Sequence, residues 1–204
     1  MGAAAFDGRR TRRAYACGVT TFRETAVDET TAHSLLASYF AERAETFPEA
    51  QGSYRTTFPV PEQFVAPDGV FLVVVDDDDT AIGCGGIRRL PQAAPSGPRR
   101  LVEQTIDGAT TLRAPDTETV QNAERVRFEV KHLWLSPTAR GRGLGRALLT
   151  ELERRAAAFG ASEVVLDTND SLEAAGGLYR ASGYESIAPY NDNPNATTWY
   201  RKSL

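Results

Sequence analysis

Residues 127–168, RFEVKHLWLSPTARGRGLGRALLTELERRAAAFGASEVVLDT, constrain the fold more than any other stretch of the chain. RFEVKHLWL reads as a strand over 127–135, and Ser136-Pro137 turns the chain out of it. Leu144, Leu148, Leu152, Ala156 and Phe159 then recur at helical spacing over 144–159, with Gly160 as the stop. EVVLDT, 163–168, has the composition of a fully buried strand. A strand, a glycine-rich loop, a helix and a strand in succession need a sheet with helices laid on it.

The remaining stretches fit that plan. VTTFRE, 19–24, alternates as a strand, and Asp28 is placed to cap a helix over 29–44 with Leu35, Leu36, Phe40 and Ala44 at helical spacing. Residues 45–68 are non-periodic and rich in proline and aromatics, the character of a binding loop. GVFLVVV, 69–75, is a buried strand, and AIGCGGIRRL pairs back on it with glycines suited to a bulge or a close backbone approach. Asp76–Asp79 between them reads as a solvated hairpin tip, since a metal site lacks a second ligand cluster. Prolines at 91, 95, 98 and 115 mark 91–124 as a surface-lying, mobile insertion between strands. A helix over 171–182 follows, with Asp170 and Glu173 as a capping box and Gly183 at its end. Strands at 184–189 and 197–203 close the chain. The expected organisation is a loose arm at 1–17 and one mixed α+β domain at 18–204 with that insertion.

Composition removes whole classes of function. The chain is 41% hydrophobic and 25% charged, with a formal net charge of -4, which argues against a nucleic-acid partner. No apolar run approaches the roughly 20 residues of a membrane helix, so no membrane partner is expected. Cys17 and Cys84 stand alone without metal spacing, and only His33 and His132 carry imidazole. Two lone thiols fit a reducing cytoplasm, and no metal is expected.

The loop at 140–146, RGRGLGR, is the chemical signature. Gly141, Gly143 and Gly145 permit conformations that aim successive N–H groups to one side, and the helix start at Leu144 adds its unpaired N–H groups and positive dipole end. Together they form an anion site suited to phosphate, with Arg140, Arg142 and Arg146 adding charge. A nucleotide-hydrolysing P-loop needs Gly-Lys-Ser/Thr where this chain has Gly-Arg-Ala. A dinucleotide site needs G-x-G-x-x-G in a βαβ unit, and the spacing here is G-x-G-x-G.

LSPTARGRGLGRALL resembles the acyl-CoA loop of the GNAT superfamily of N-acetyltransferases, R/Q-x-x-G-x-G/A, with Arg140, Gly143 and Gly145 matching directly. LYRASGYE, 178–185, is similar to the later element of that family in which a tyrosine lies near the CoA sulfur. The resemblance covers about 18–204, with the insertion as a departure. It implies a central, mostly antiparallel sheet that splays at the cofactor strand, with helices on both faces. It implies acetyl-CoA as co-substrate, its pyrophosphate on the N–H groups of Arg140, Gly141, Arg142, Gly143, Leu144, Gly145 and Arg146. Pantetheine would run along Leu133, Trp134 and Leu135, and an N–H near Leu133 or Trp134 would meet the thioester oxygen.

The resemblance also implies site roles. Glu129 stands where some members carry a catalytic glutamate. Even spacing keeps Glu129, Lys131 and Leu133 on one face and puts His132 on the other. Glu129 is then a base or an anchor for the substrate ammonium, against a plain strand carboxylate paired with Lys131 or an arginine. Tyr179 is the candidate acid for the leaving thiolate, against a core tyrosine. Asn169 touches pantetheine or positions the helix, or is a turn residue. PYNDNPNATTWY, 189–200, is a candidate wall of the acceptor pocket, with Asp192 suited to a cationic amine. The activity implied is acetyl transfer to a primary amine of a small or amino-acid-like acceptor, by a monomer or homodimer. A non-catalytic acyl-CoA-binding module and a protein acetyltransferase stay open beside it.

Overall fold

The computed structural model describes residues 20–91 and 125–204, together with the backbone of two strands at 102–106 and 109–113. The arm at 1–17, Cys17 and most of the insertion lie outside the described residues. The main sheet is built from β1 (Thr21–Glu24), β2 (Gly69–Val75), β3 (Ala81–Arg89), β6 (Arg127–Leu135), β7 (Glu163–Thr168), β8 (Glu185–Ile187) and β9 (Thr198–Ser203). Between β3 and β6, β4 (Val102–Ile106) and β5 (Ala109–Arg113) pair as a separate antiparallel hairpin. The hairpin lies within the insertion expected at 91–124. The helices are α1 (Thr30–Glu45), α2 (Leu144–Ala158) and α3 (Glu173–Ala181).

The seven strands run in the order β1-β2-β3-β6-β7-β9-β8. Every neighbouring pair is antiparallel except β6 and β7, which are parallel. The parallel pair is the one joined through α2, as such a pair requires a crossover. β2 is buried at every position, so helices must cover both faces. On one face α1 packs Leu35, Leu36 and Phe40 against Phe71, Val73, Val75 and Cys84. On the other, α2 packs Leu148, Leu152 and Ala156 against Leu72, Val74, Ile87 and Phe128, and Tyr179 of α3 joins that core.

The glycines of β3 serve close approach. A Cβ on Gly86 would lie 2.6 Å from the Phe64 ring, and one on Gly83 2.7 Å from the Trp134 carbonyl oxygen. Two helix starts differ from expectation. Glu29, not Asp28, is the N-cap of α1, and its carboxylate reaches back to the N–H of Ala26 at 3.3 Å. The capping box of α3 does not form, because Asp170 accepts the Thr198 hydroxyl instead and the helix begins after Leu172. Asp76 accepts the N–H groups of Asp78 and Thr80 inside the hairpin tip, as a solvated turn does. No helix among the described residues is long and apolar enough to cross a membrane, and no cluster of three metal-ligating side chains occurs among them.

Candidate active site

The site begins with a fault in β6. Lys131 pairs with Gly86 and Trp134 with Cys84, so two residues of β6 oppose the single Gly85. His132 takes the extra place, at φ 56. The bulge overturns the expected alternation. His132 comes to the α1 face, where its ring meets Phe40 at 5.5 Å and Tyr39 at 5.6 Å. Leu133 is displaced to the α2 face and packs with that core, while Trp134 packs on the α1 side. Strict alternation placed His132 opposite Glu129 and Leu133 beside it, and one inserted residue reverses both.

β6 also parts from β7. Their pairing covers only Arg127, Phe128 and Glu129, against Glu163, Val164 and Val165. Beyond Glu129 both strands continue, β6 to Leu135 and β7 to Thr168, without each other. The gap opens into a cavity of about 480 Å³ that runs from the aromatic side chains of α1 to Tyr179 and Leu172. Lys131, His132 and Leu133 line it from β6, and Asp167 and Thr168 from β7. Two loops complete the wall. The 46–60 connection contributes Tyr54 and Phe58, and the 188–197 loop contributes Asn191, Asn193 and Asn195. Asn195 pins the loops together, accepting the N–H of Arg55 and donating to its carbonyl, both at 2.8 Å. Asp192, in contrast, is exposed and outside the wall.

Tyr179 lies at the cavity with 6% of its surface exposed, its ring 5.9 Å from those of Tyr184 and Tyr200. Burial, aided by the Asp167 charge, pushes its phenol well above the usual value, so it stays a neutral O–H donor. Glu129 is fully buried and does not line the cavity. Arg88 donates to its Oε2 at 2.8 and 2.7 Å, and Tyr190 and Asn191 donate to Oε1 at 2.9 and 3.2 Å. Asn191 also donates to Asp167 at 2.7 Å, and Lys131 reaches that carboxylate at 3.1 Å. Burial pushes the Asp167 carboxyl up, but Lys131 and the hydrogen bonds of Asn191 and Asn193 outweigh it and hold it below the usual value. Asn169 is likewise committed, donating to Gln51 at 2.7 Å and to the Asn195 carbonyl at 3.0 Å. Only their distant partners mark these roles, and short spacing cannot show them.

The glycine loop follows β6 after one short 3-10 turn, Pro137–Ala139. Gly141 and Gly143 have φ 74 and 80, and nothing lies within 4 Å of a Cβ added at either. Glycine is therefore required there by conformation, not by crowding. Gly143 caps α2, and the N–H groups of Gly141 through Arg146 make no hydrogen bond to any described residue. Six such groups at a helix start fit a phosphate. The arginines divide. Arg140 is tied to both carboxylate oxygens of Glu42 and to the Leu135 carbonyl, and Arg146 donates to the Ala181 carbonyl at 3.3 Å. Arg142 alone of the three has no such commitment among the described residues. Glu42 also accepts the Trp134 indole at 3.0 Å. Burial raises the Glu42 carboxyl, and these donors outweigh it and hold it below its usual value.

The arrangement is shared with known proteins. Residues 31–184 match the model of the acetyltransferase (GNAT) family. An uncharacterized N-acetyltransferase of Schizosaccharomyces pombe is 28% identical over 136 residues, covering 67% of this chain and 64% of the relative. An acetyltransferase from Streptococcus agalactiae superposes with a TM-score of 0.62 at 15% identity, over 91% of this chain and 98% of that one. A chain of the NatC complex bound to Gag peptide and CoA gives 0.55 at 17% identity, over 91% and 98%. At such identities the superpositions speak for the fold, while the family match spans well over half of the sequence. The chain belongs to the GNAT family of acetyltransferases.

Proposed function

We propose that the protein transfers an acetyl group from acetyl-CoA to a primary amine of a small or amino-acid-like acceptor, by direct attack in a ternary complex. One observation carries this reading: β6 parts from β7 to leave a cavity, then leads through a short turn into a loop at the head of α2 whose N–H groups are unpaired among the described residues. Acetyl-CoA supplies an acyl group already activated as a thioester. The N–H groups of 141–146 and Arg142 hold its phosphates. The open edge of Leu133, Trp134 and Leu135 offers main-chain hydrogen bonds along the gap, with an N–H near Leu133 or Trp134 to stabilise developing oxyanion charge. Cys84 is buried and its thiol is pushed up to about 12, so it is no nucleophile for a covalent relay. Tyr179 gives the proton to the departing thiolate. Glu129 acts by positioning, holding Arg88, Lys131 and Asn191 around the cavity, and the amine's proton leaves to water. The reading is of a cytoplasmic enzyme, monomeric or dimeric, that needs no metal.

Thiol release from acetyl-CoA across a panel of amines tests the reaction. Tyr179→Phe is expected to lower kcat by about 10²–10⁴-fold with the acetyl-CoA Kd unchanged. Gly143→Asp forces a side chain onto φ 80 and sets a negative charge among phosphate oxygens. Its acetyl-CoA binding, read by calorimetry on folded protein, should be lost, and unchanged affinity would overturn the loop's role. Binding without thiol release for any amine would favour the non-catalytic module.

A further inference from the structure

Arg43 lies on α1 with 6% of its surface exposed, yet it lines the cavity. Among the described residues no carboxylate comes within ion-pair distance of it. Its contacts are the Thr46 hydroxyl at 3.4 Å and the Tyr54 ring, with the guanidinium carbon 5.8 Å from the ring centroid. Glu42, its neighbour in sequence, is taken by Arg140 and Trp134. Two of the other cations on the wall are paired with carboxylates. Arg88 is paired with Glu129, and Lys131 with Asp167. Arg55 stands exposed among the lining residues. A buried charge without a counterion costs several kcal/mol, and proteins seldom keep one without use.

Around Arg43 the wall is aromatic: Tyr39, Phe40, Tyr54 and Phe58. Phe58 and Val60 remain 41% and 51% exposed at the same cavity. We infer that the acceptor is an amine carrying a carboxylate and an apolar body, its carboxylate paired with Arg43 and its body on these aromatics. The guanidinium fork suits a carboxylate's two oxygens. The inference rests on the acetyl-transfer reading for the role of that ligand, but not for its binding.

Binding tests it apart from turnover. The probes are 3-phenylpropionate and 3-phenylpropionamide, equal in shape and different in charge, titrated by calorimetry into the full chain and into Arg43→Met. The wild type should bind the carboxylate at least about tenfold more tightly than the amide, the scale of one charge-assisted hydrogen bond. Arg43→Met should erase the difference, keep its acetyl-CoA affinity, and hold or raise the melting temperature, since an unpaired buried charge has gone. Arg43→Lys, keeping charge without the fork, should restore part of the preference. Equal affinities in the wild type, or a preference that survives Arg43→Met, overturns the inference. So does a lowered melting temperature with the preference intact, which makes Arg43 a packing residue. Failure of acetyl-CoA to bind at all sinks the acetyl-transfer reading instead, and leaves the measured carboxylate preference standing.

Discussion

His132 is half-buried, and its buried Nδ1 has no hydrogen-bond partner among the described residues. Burial lowers its pKa to about 3, with Lys131 and Arg88 pushing the same way and Asp167 opposing. The folded chain therefore holds it neutral where the unfolded chain, near 6.5, takes up a proton. Between about pH 6.5 and 3 the unfolded state binds more protons, so stability falls as pH falls through that window. The limiting slope is about 1.4 kcal/mol per pH unit for one group. His132→Asn, a residue that accepts φ 56, should flatten the stability curve between pH 6.5 and 5 relative to wild type. Parallel curves from denaturant melts across that range would show that His132 is not the source.

Glycine in β3 sets how near β6 and Phe64 can come. Gly86→Ala must displace the Phe64 ring, which also walls the cavity, and should cost about 1–3 kcal/mol, read from denaturant melts. A cost below the measurement error would mean the ring moves freely. The elements themselves were legible where burial is complete or periodicity long: 127–135 and 163–168 match β6 and β7 residue for residue, and α2 misses by one. What alternation could not show was the bulge, because an inserted residue leaves the amino-acid pattern unchanged and alters only the register. Glu129's partners Tyr190 and Asn191 lie about 60 residues on, beyond any local spacing. Arg43 left a readable trace, at the apolar-stripe position three after Phe40, where a surface arginine would not be expected. The family motif located the loop, but only side-chain partners separate Arg142 from Arg140 and Arg146.

At the scale of the molecule, the insertion joins strands that already touch. Arg89 pairs with Phe128, and the N–H of Leu90 continues the ladder to the Arg127 carbonyl at 2.9 Å. Deleting 92–123 and closing with a short turn should leave a cooperative melt and acetyl-CoA binding. Shortening the loop from roughly 35 residues to a few saves up to about 2 kcal/mol of closure entropy. Loss of the cooperative transition would show that the segment belongs to the core.

The order of strands across the sheet is not their order along the chain. β8 precedes β9, yet among the described residues β9 is its sole strand neighbour and lies between it and β7. β8 is thus a passenger in time: it has nothing to join until a later segment has docked on β7. Pulse-labelled hydrogen exchange during refolding should find the amides of β8 protected no sooner than those of β9, and earlier protection of β8 would mean that it first pairs elsewhere.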